Sequence, residues 1–228
     1  VGGGGLIAGG ATAAKQSPSP PRVIGVQSEA FNTAYARFRG EPASARGLDT
    51  VAEGIAVKEP GLMTSEIIER TVDDMVTVTE AQIEAAIFDL LEIEKTVCEG
   101  AGAAGLAAIV AHPGIAMGKT ATILSGGNID MMILSSVLQR GLVRTQRLVR
   151  LRVELPDVPG AMADLTKVVG ELDCNIIDIE HQRAFEGRSV RATVVTLVLS
   201  MRGEAQLDAV VNALAEREYE ARVESERA

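Results

Sequence analysis

The sequence predicts a chain in two parts, an α/β portion with a parallel sheet flanked by helices over residues 1–143 and an α+β portion over residues 144–228. Three observations predict this. From residue 6 to about 140, apolar runs of strand length alternate with stretches of helical period, the pattern of βα units. Around Arg140 to Gln146 that rhythm stops. From Val149 onward the pattern becomes residue-by-residue alternation, Val149, Leu151, Val153 and Leu155 against Arg150, Arg152 and Glu154, a strand with one buried face.

In chain order, Gly2 to Gly5 opens a helix-compatible run from Ile7 to Lys15. Arg22 to Val26, Met75 to Val78 and Ala121 to Leu124 read as strands. Thr79 with Gln82 three residues later is a capping-box signal, and Ile83, Ile87, Leu90 and Leu91 follow at helical spacing, so a helix starts after Thr79. Arg39 to Gly61 is rich in Gly, Pro and small residues without a period and reads as a site-lining loop. In the second part the first strand ends at an Asp157-Val158-Pro159-Gly160 turn, followed by a helix with Ala161, Leu165, Val168, Val169 and Leu172 on one face. Two strands, Asn175 to Ile179 and Val190 to Leu199, a helix carrying Leu207, Val210, Val211 and Leu214, and a short strand near Tyr219 to Val223 complete a βαββαβ, ferredoxin-like order.

Composition narrows the function. With 46% hydrophobic and 23% charged residues the chain can bury a core, and no apolar run reaches the roughly 18 to 20 residues of a membrane span. A cytoplasmic protein is expected. A net charge of -9, with no basic stripe, disfavours nucleic acid. Cys98 and Cys174 are far apart and have no metal-ligand spacing, so they are expected as buried thiols rather than a zinc site or disulfide. His112 and His181 are isolated and are expected to be structural or surface residues. Val1 runs straight into glycines without a starting Met, and the chain reads as a fragment.

Three glycine-rich loops could carry chemistry. Consecutive N–H groups at Gly2, Gly3, Gly4, Gly5 and Leu6, opening a helix, can close around an anion such as a phosphate, although a flexible linker has the same composition. Ser125-Gly126-Gly127-Asn128 follows an apolar run, where ligands bind beyond the carboxyl end of a parallel strand; a plain turn is the alternative. Glu99 precedes Gly100-Ala101-Gly102-Ala103 and is either a helix N-terminal acid or a site carboxylate. Gly118-Lys119-Thr120 is not a nucleotide loop, because Gly114 lies one residue too close to it.

Together, Gly2-Gly3-Gly4-Gly5-Leu6, Gly25-Val26-Gln27-Ser28-Glu29, Thr50-Val51-Ala52-Glu53-Gly54, Glu99-Gly100-Ala101-Gly102-Ala103 and Ser125-Gly126-Gly127-Asn128-Ile129-Asp130 resemble, in order and approximate spacing, the bacterial threonine ammonia-lyases. That family includes serine dehydratases and serine racemase. From about residue 147 the chain resembles an ACT domain, with its Asp157-Val158-Pro159-Gly160 turn and its strand from Cys174 to His181. The resemblance implies an incomplete tryptophan-synthase-β-like fold and pyridoxal 5'-phosphate as cofactor, its phosphate on Gly2, Gly3, Gly4, Gly5 and Leu6, Ser125 facing the pyridine nitrogen, and Glu99 in the same site. It implies elimination of water from L-threonine to give 2-oxobutanoate and ammonia, with L-serine giving pyruvate. It also implies an amino-acid effector on Asp157, Gly160, Asn175 and Ile176 of a dimer or tetramer, the turn of one subunit facing the second strand of its neighbour. Gln27 and Thr33 stand where serine-racemase-like relatives place acidic metal ligands, so no metal is expected. The family's Schiff-base lysine lies in a Ser-Phe-Lys motif, which none of Lys15, Lys58, Lys95, Lys119 and Lys167 occupies; no catalytic residue is therefore assigned. The alternative is a non-catalytic amino-acid-binding dimerisation module. The choices between threonine and serine, and between isoleucine biosynthesis and catabolism, stay open.

Overall fold

The computed structural model describes residues 1–43, 50–182 and 191–224, so the expected strand start at Val190 and part of the loop expected from Arg39 lie outside the described residues. The chain divides into two compact units, Val1–Val137 and Leu138–Ala228.

In the first unit, α1 (Gly5–Lys15), β1 (Ile24–Ser28), α2 (Thr33–Arg39), α3 (Leu62–Thr71), β2 (Asp74–Val78), α4 (Glu80–Glu92) and α5 (Gly100–Ala111) follow in order, and α6 (Met131–Arg144) carries the chain onward. β1 and β2 pair in parallel, Val26 opposite Val76. Alternation along β2 sends Met75 to one face, where it is fully buried with Ala8, Ala11 and Ile68 of α1 and α3. It sends Val78 to the other, under Ile83, Ile87 and Leu90 of α4 and Ala104 and Ala107 of α5. Helices on both faces are what a parallel pair requires.

The start of α4 is as the residue types dictate. The Thr79 hydroxyl accepts from the Gln82 N–H at 3.3 Å, and the Gln82 side chain accepts from the Thr79 N–H at 2.8 Å. Thr79→Ala removes one of these partners of an otherwise orphaned helix donor and is expected to cost about 1 kcal/mol, read as a lower urea midpoint at unchanged slope.

Two expectations need correction. The strand expected from Arg22 is Ile24–Ser28, and the run expected as a third strand, Ala121 to Leu124, forms no strand. Apolarity alone does not make a strand. The sheet of β1 and β2 takes in no residue of this run, and Ile123 remains 66% exposed. Exposed apolar side chains also include Leu6, Leu62, Met63, Val110 and Met117. The helices α2 and α3 are not signalled by the sequence, because each is short and neither has a long apolar period.

In the second unit β3 (Leu148–Pro156), α7 (Ala161–Glu171), β4 (Asn175–Gln182), β5 (Ala192–Ser200), α8 (Glu204–Ala215) and β6 (Glu220–Val223) realise the expected βαββαβ order. The sheet is antiparallel, ordered β4-β5-β3-β6. Leu151, Val153, Leu197 and Leu199 bury fully against Leu165 and Val169 of α7 and Val210 and Leu214 of α8. Both helices cover this one face, leaving Arg150, Arg152, Thr196 and Val198 on the other.

Candidate functional site

α1 begins at the glycine loop. Its N-cap, Gly4, has φ 85°, and Ala8 donates back to the Gly4 carbonyl at 2.9 Å. The N–H groups before Ala8 have no carbonyl one turn earlier and point along the helix axis, where the dipole is positive. A side chain at Gly4 would press on the Thr64 hydroxyl at 2.9 Å, whereas positions 3 and 5 open onto empty space. The loop is fixed from behind by Thr64, which donates to the Gly3 carbonyl at 2.7 Å. Thr64 is a supporting residue the sequence reading missed; Gly61 three residues before a Thr at a helix start was the available signal.

From this loop a series of close approaches leads to the other blocks. A Cβ on Gly2 would lie 3.1 Å from the Gly54 carbonyl, and one on Gly54 would lie 3.6 Å from a Glu99 carboxylate oxygen. The Glu99 carboxylate in turn lies over Gly126, whose φ is 93° and whose Cβ would sit 2.4 Å from Glu99 Oε1. Glu99 also donates its N–H to the Gly126 carbonyl at 3.3 Å. Gly100 packs on the Val51 and Ala52 backbone, and Gly102 on the Ser125 carbonyl. The structure thus brings Gly2 to Leu6, Gly54, Glu99 and Ser125 to one end of the unit. Glu99 is the N-cap of α5 yet makes no side-chain capping bond, and its carboxylate is directed to Gly126 instead. Ser125 is half-buried behind Gly126.

Other expected residues fall elsewhere. Gln27 is fully buried on β1, its Oε1 accepting from the Tyr35 N–H at 2.8 Å, and the Thr33 hydroxyl donates to the Val57 carbonyl. Among the described residues, no group of three or more His, Cys, Asp or Glu side chains is placed to hold a metal. Cys98 and Cys174 are free buried thiols. Burial pushes both thiols up, helped by the charges of Glu99 and Asp173 respectively. His112 Nε2 pairs with the Thr77 carbonyl and His181 Nε2 with the Thr193 hydroxyl. Among the described residues, no helix is long and apolar enough to cross a membrane.

The four effector candidates are not brought together within one chain. Asp157 and Gly160 line a cavity of about 250 Å³ with Met162, His181 and Thr193. Asn175 and Ile176 lie at the other end of the sheet, opposite Ser200 and Leu199, while the turn follows Pro156, opposite Ala192. The length of β5, roughly 26 Å at 3.3 Å per residue, separates the two pairs.

A side-chain-free loop at a helix N-terminus, with empty space at positions 3 and 5, fits a phosphate; a carboxylate and a serine-bearing loop beside it fit the rest of a polar cofactor. Comparison with known proteins agrees. Residues 1–126 match the family model described as pyridoxal-phosphate dependent enzyme, and residues 149–218 match that of the ACT domain. The chain is 38% identical over 224 residues to an L-threonine ammonia-lyase of Thermotoga maritima, covering 98% of this chain and 56% of that protein. It is 42% identical over 216 residues to one of Geobacter sulfurreducens, covering 94% and 54%. The chain thus spans about half the length of these relatives. Among solved structures, a T.th. threonine deaminase aligns with a TM-score of 0.52 at 38% identity, over 57% of this chain and 48% of that one. The processed threonine deaminase isoform 2 of Solanum lycopersicum aligns with a TM-score of 0.54 at 33% identity, over 61% and 39%. A glycine loop opening a helix, the blocks gathered around it and the match over residues 1–126 lead to one conclusion: the chain belongs to the pyridoxal-phosphate dependent enzyme family and carries an ACT domain after that region.

Proposed function

We propose that this chain is a portion of a threonine ammonia-lyase that converts L-threonine to 2-oxobutanoate and ammonia, and L-serine to pyruvate, under control of its ACT domain. The observation that carries the reading is the gathering of Gly2 to Leu6, Glu99 and Ser125 at one end of the first unit, in a chain 38% and 42% identical to two L-threonine ammonia-lyases. Pyridoxal phosphate, when bound, supplies an electron sink for the substrate's α-carbon. Gly2, Gly3, Gly4, Gly5 and Leu6 would hold its phosphate through backbone N–H groups, with Gly2 also packed against the Gly54 carbonyl. Ser125 offers the ring nitrogen a neutral hydroxyl, which leaves that nitrogen less protonated than a carboxylate partner would and favours elimination over transamination. Glu99, held over Gly126, fixes the two walls of the site relative to each other.

Imine chemistry is not assigned to any lysine here. Lys15 pairs with Asp73, Lys95 donates to the Glu92 carbonyl, Lys167 lies 3.8 Å from Glu171, and Lys58 and Lys119 are exposed and stand in no Ser-Phe-Lys motif. The 228-residue polypeptide, supplied with pyridoxal phosphate, is therefore expected to release no 2-oxobutanoate from threonine, while the complete protein carrying this sequence does so and loses most of that rate on Ser125→Asp. Release by the purified 228-residue chain would refute the lysine argument; a complete protein inactive on both threonine and serine would refute the ammonia-lyase reading.

For the ACT domain we propose assembly of two copies, so that the Asp157–Gly160 turn of one faces Asn175 and Ile176 of the other. Support comes from β4, an edge strand with Ile177 57% and Ile179 42% exposed, a surface suited to a partner strand.

A further inference from the structure

The N-terminus of α4 is closed by Thr79 and Gln82, yet the residue that follows Thr79 is an acid whose carboxylate turns away from the helix to hold another part of the chain. Glu80 Oε2 accepts from the Thr50 hydroxyl at 2.8 Å, and Glu80 Oε1 accepts from the Val51 N–H. Both oxygens of one half-buried carboxylate therefore grip two consecutive residues. The Thr50 hydroxyl oxygen in turn accepts from the Ala52 N–H at 3.1 Å. Ala52 is fully buried, and its carbonyl accepts from the Ile55 N–H at 2.9 Å, which starts the turn that carries Gly54.

The segment so held is also pressed by the start of α5. A Cβ on Gly100 would lie 2.4 Å from the Val51 carbonyl oxygen and 2.8 Å from Ala52 Cα, so only a glycine there lets α5 approach the residues that Glu80 holds. Gly54 stands at the far end of this wedge. A Cβ on Gly2 would lie 3.1 Å from the Gly54 carbonyl oxygen, and one on Gly54 itself 3.6 Å from Glu99 Oε1. Gly54 thus sets the spacing between the glycine loop and the Glu99 carboxylate, and Glu80 sets where Gly54 begins its turn. Hydrogen bonds to an ionised acceptor are stronger than neutral ones, and removing the carboxylate leaves the Val51 N–H without its acceptor beside buried Ala52. We propose that Glu80 is a positioning residue of the cofactor site, acting through Thr50, Val51 and Gly54 rather than on the cofactor itself. The proposal rests on the reading of this end of the first unit as the pyridoxal-phosphate site, whichever amino acid is deaminated there.

The test takes two readouts on Glu80→Ala and Glu80→Gln. In the 228-residue chain, amide hydrogen exchange at Val51 is expected to speed up in Glu80→Ala. Glutamine keeps it protected, because its oxygen accepts from the Val51 N–H while its amide donates to the Thr50 hydroxyl. In the complete protein carrying this sequence, the dissociation constant for pyridoxal phosphate is expected to rise about tenfold in Glu80→Ala and to stay within about threefold of the parent in Glu80→Gln. Faster Val51 exchange with cofactor affinity unchanged would mean that the clamp does not reach the site, and overturns the proposal. Equal loss of affinity in the alanine and glutamine variants would assign the effect to negative charge at the start of α4, and overturns it as well. A parent protein that retains no pyridoxal phosphate overturns the cofactor-site reading and the proposal with it, whereas retention without action on threonine leaves the proposal standing. Should Glu80→Ala fail to fold, Thr50→Val decides: it removes one of the two bonds with Glu80 in place and is expected to weaken cofactor binding about threefold, and parent-like affinity in it overturns the proposal.

Discussion

Gly102→Ala is expected to destabilise the first unit by about 3 kcal/mol, the upper end of overpacking costs, and Gly105→Ala, one turn further along α5, to leave it unchanged or up to about 1 kcal/mol more stable. Both residues are helical glycines, so propensity alone favours alanine at each. Their surroundings differ. At position 102 a Cβ would lie 2.4 Å from the Ser125 carbonyl oxygen and 2.6 Å from Cys98 Sγ. Ser125 is held there by backbone, in a loop tied to α5 through the Glu99 and Gly126 hydrogen bond, so relief requires moving α5 or the serine loop. At position 105 a Cβ would lie 2.1 Å from the Thr122 hydroxyl oxygen and 3.4 Å from the Thr122 Cβ, so it too must displace its neighbour, but that neighbour is a single side chain that can rotate away on an exposed, unpaired segment rather than backbone. Urea denaturation followed by circular dichroism measures both changes. Because the displaced atom belongs to Ser125, Gly102→Ala is also expected to reduce pyridoxal-phosphate retention in the complete protein while Gly105→Ala does not. Equal costs for the two would mean that α5 does not pack on the serine loop as described.

That contrast marks where the sequence was readable. Signals completed within a few residues carried through: the Thr79 and Gln82 box, and the alternation from Val149 to Leu155 that makes β3. Features that need a distant partner did not. Ala121 to Leu124 has the composition of a strand but no neighbour to pair with, and α2 and α3 are held by contacts with α1 and β2 rather than by their own periodicity. The candidate site lies between these cases. No local rule brings Gly2, Gly54, Glu99 and Gly126 together, since their approaches span long stretches of chain. Only the ordered set of blocks resembling a known family pointed to one site, and local physics supplied the reason each block is rich in glycine: Gly100 and Gly102 are pressed against backbone, and Gly126 lies under a carboxylate. The effector candidates show the reverse. Asp157 with Gly160 and Asn175 with Ile176 each suit a ligand by residue type, yet the antiparallel register puts them at opposite ends of the sheet.

Leu197→Ala is expected to cost roughly 2 to 5 kcal/mol of second-unit stability, by lost transfer energy plus the cavity left behind. Val198→Ala, its neighbour in sequence, is expected to cost under about 1 kcal/mol. Leu197 is fully buried on β5, opposite Leu151 of β3 and Ile179 of β4, beneath α7 and α8. Neither central strand can move inward to fill the space without breaking its ladder, so little of the cavity collapses. Val198 projects to the helix-free face, half-exposed between Arg150 and Asp178, where water replaces the missing methyl groups. Chemical denaturation gives both costs, and amide hydrogen exchange along β5 should show protection falling throughout the strand for Leu197→Ala alone. The pair tests which way β5 faces. If Val198→Ala proved as costly as Leu197→Ala, Val198 would lie in a second core and the register that turns it away from α7 and α8 would be wrong.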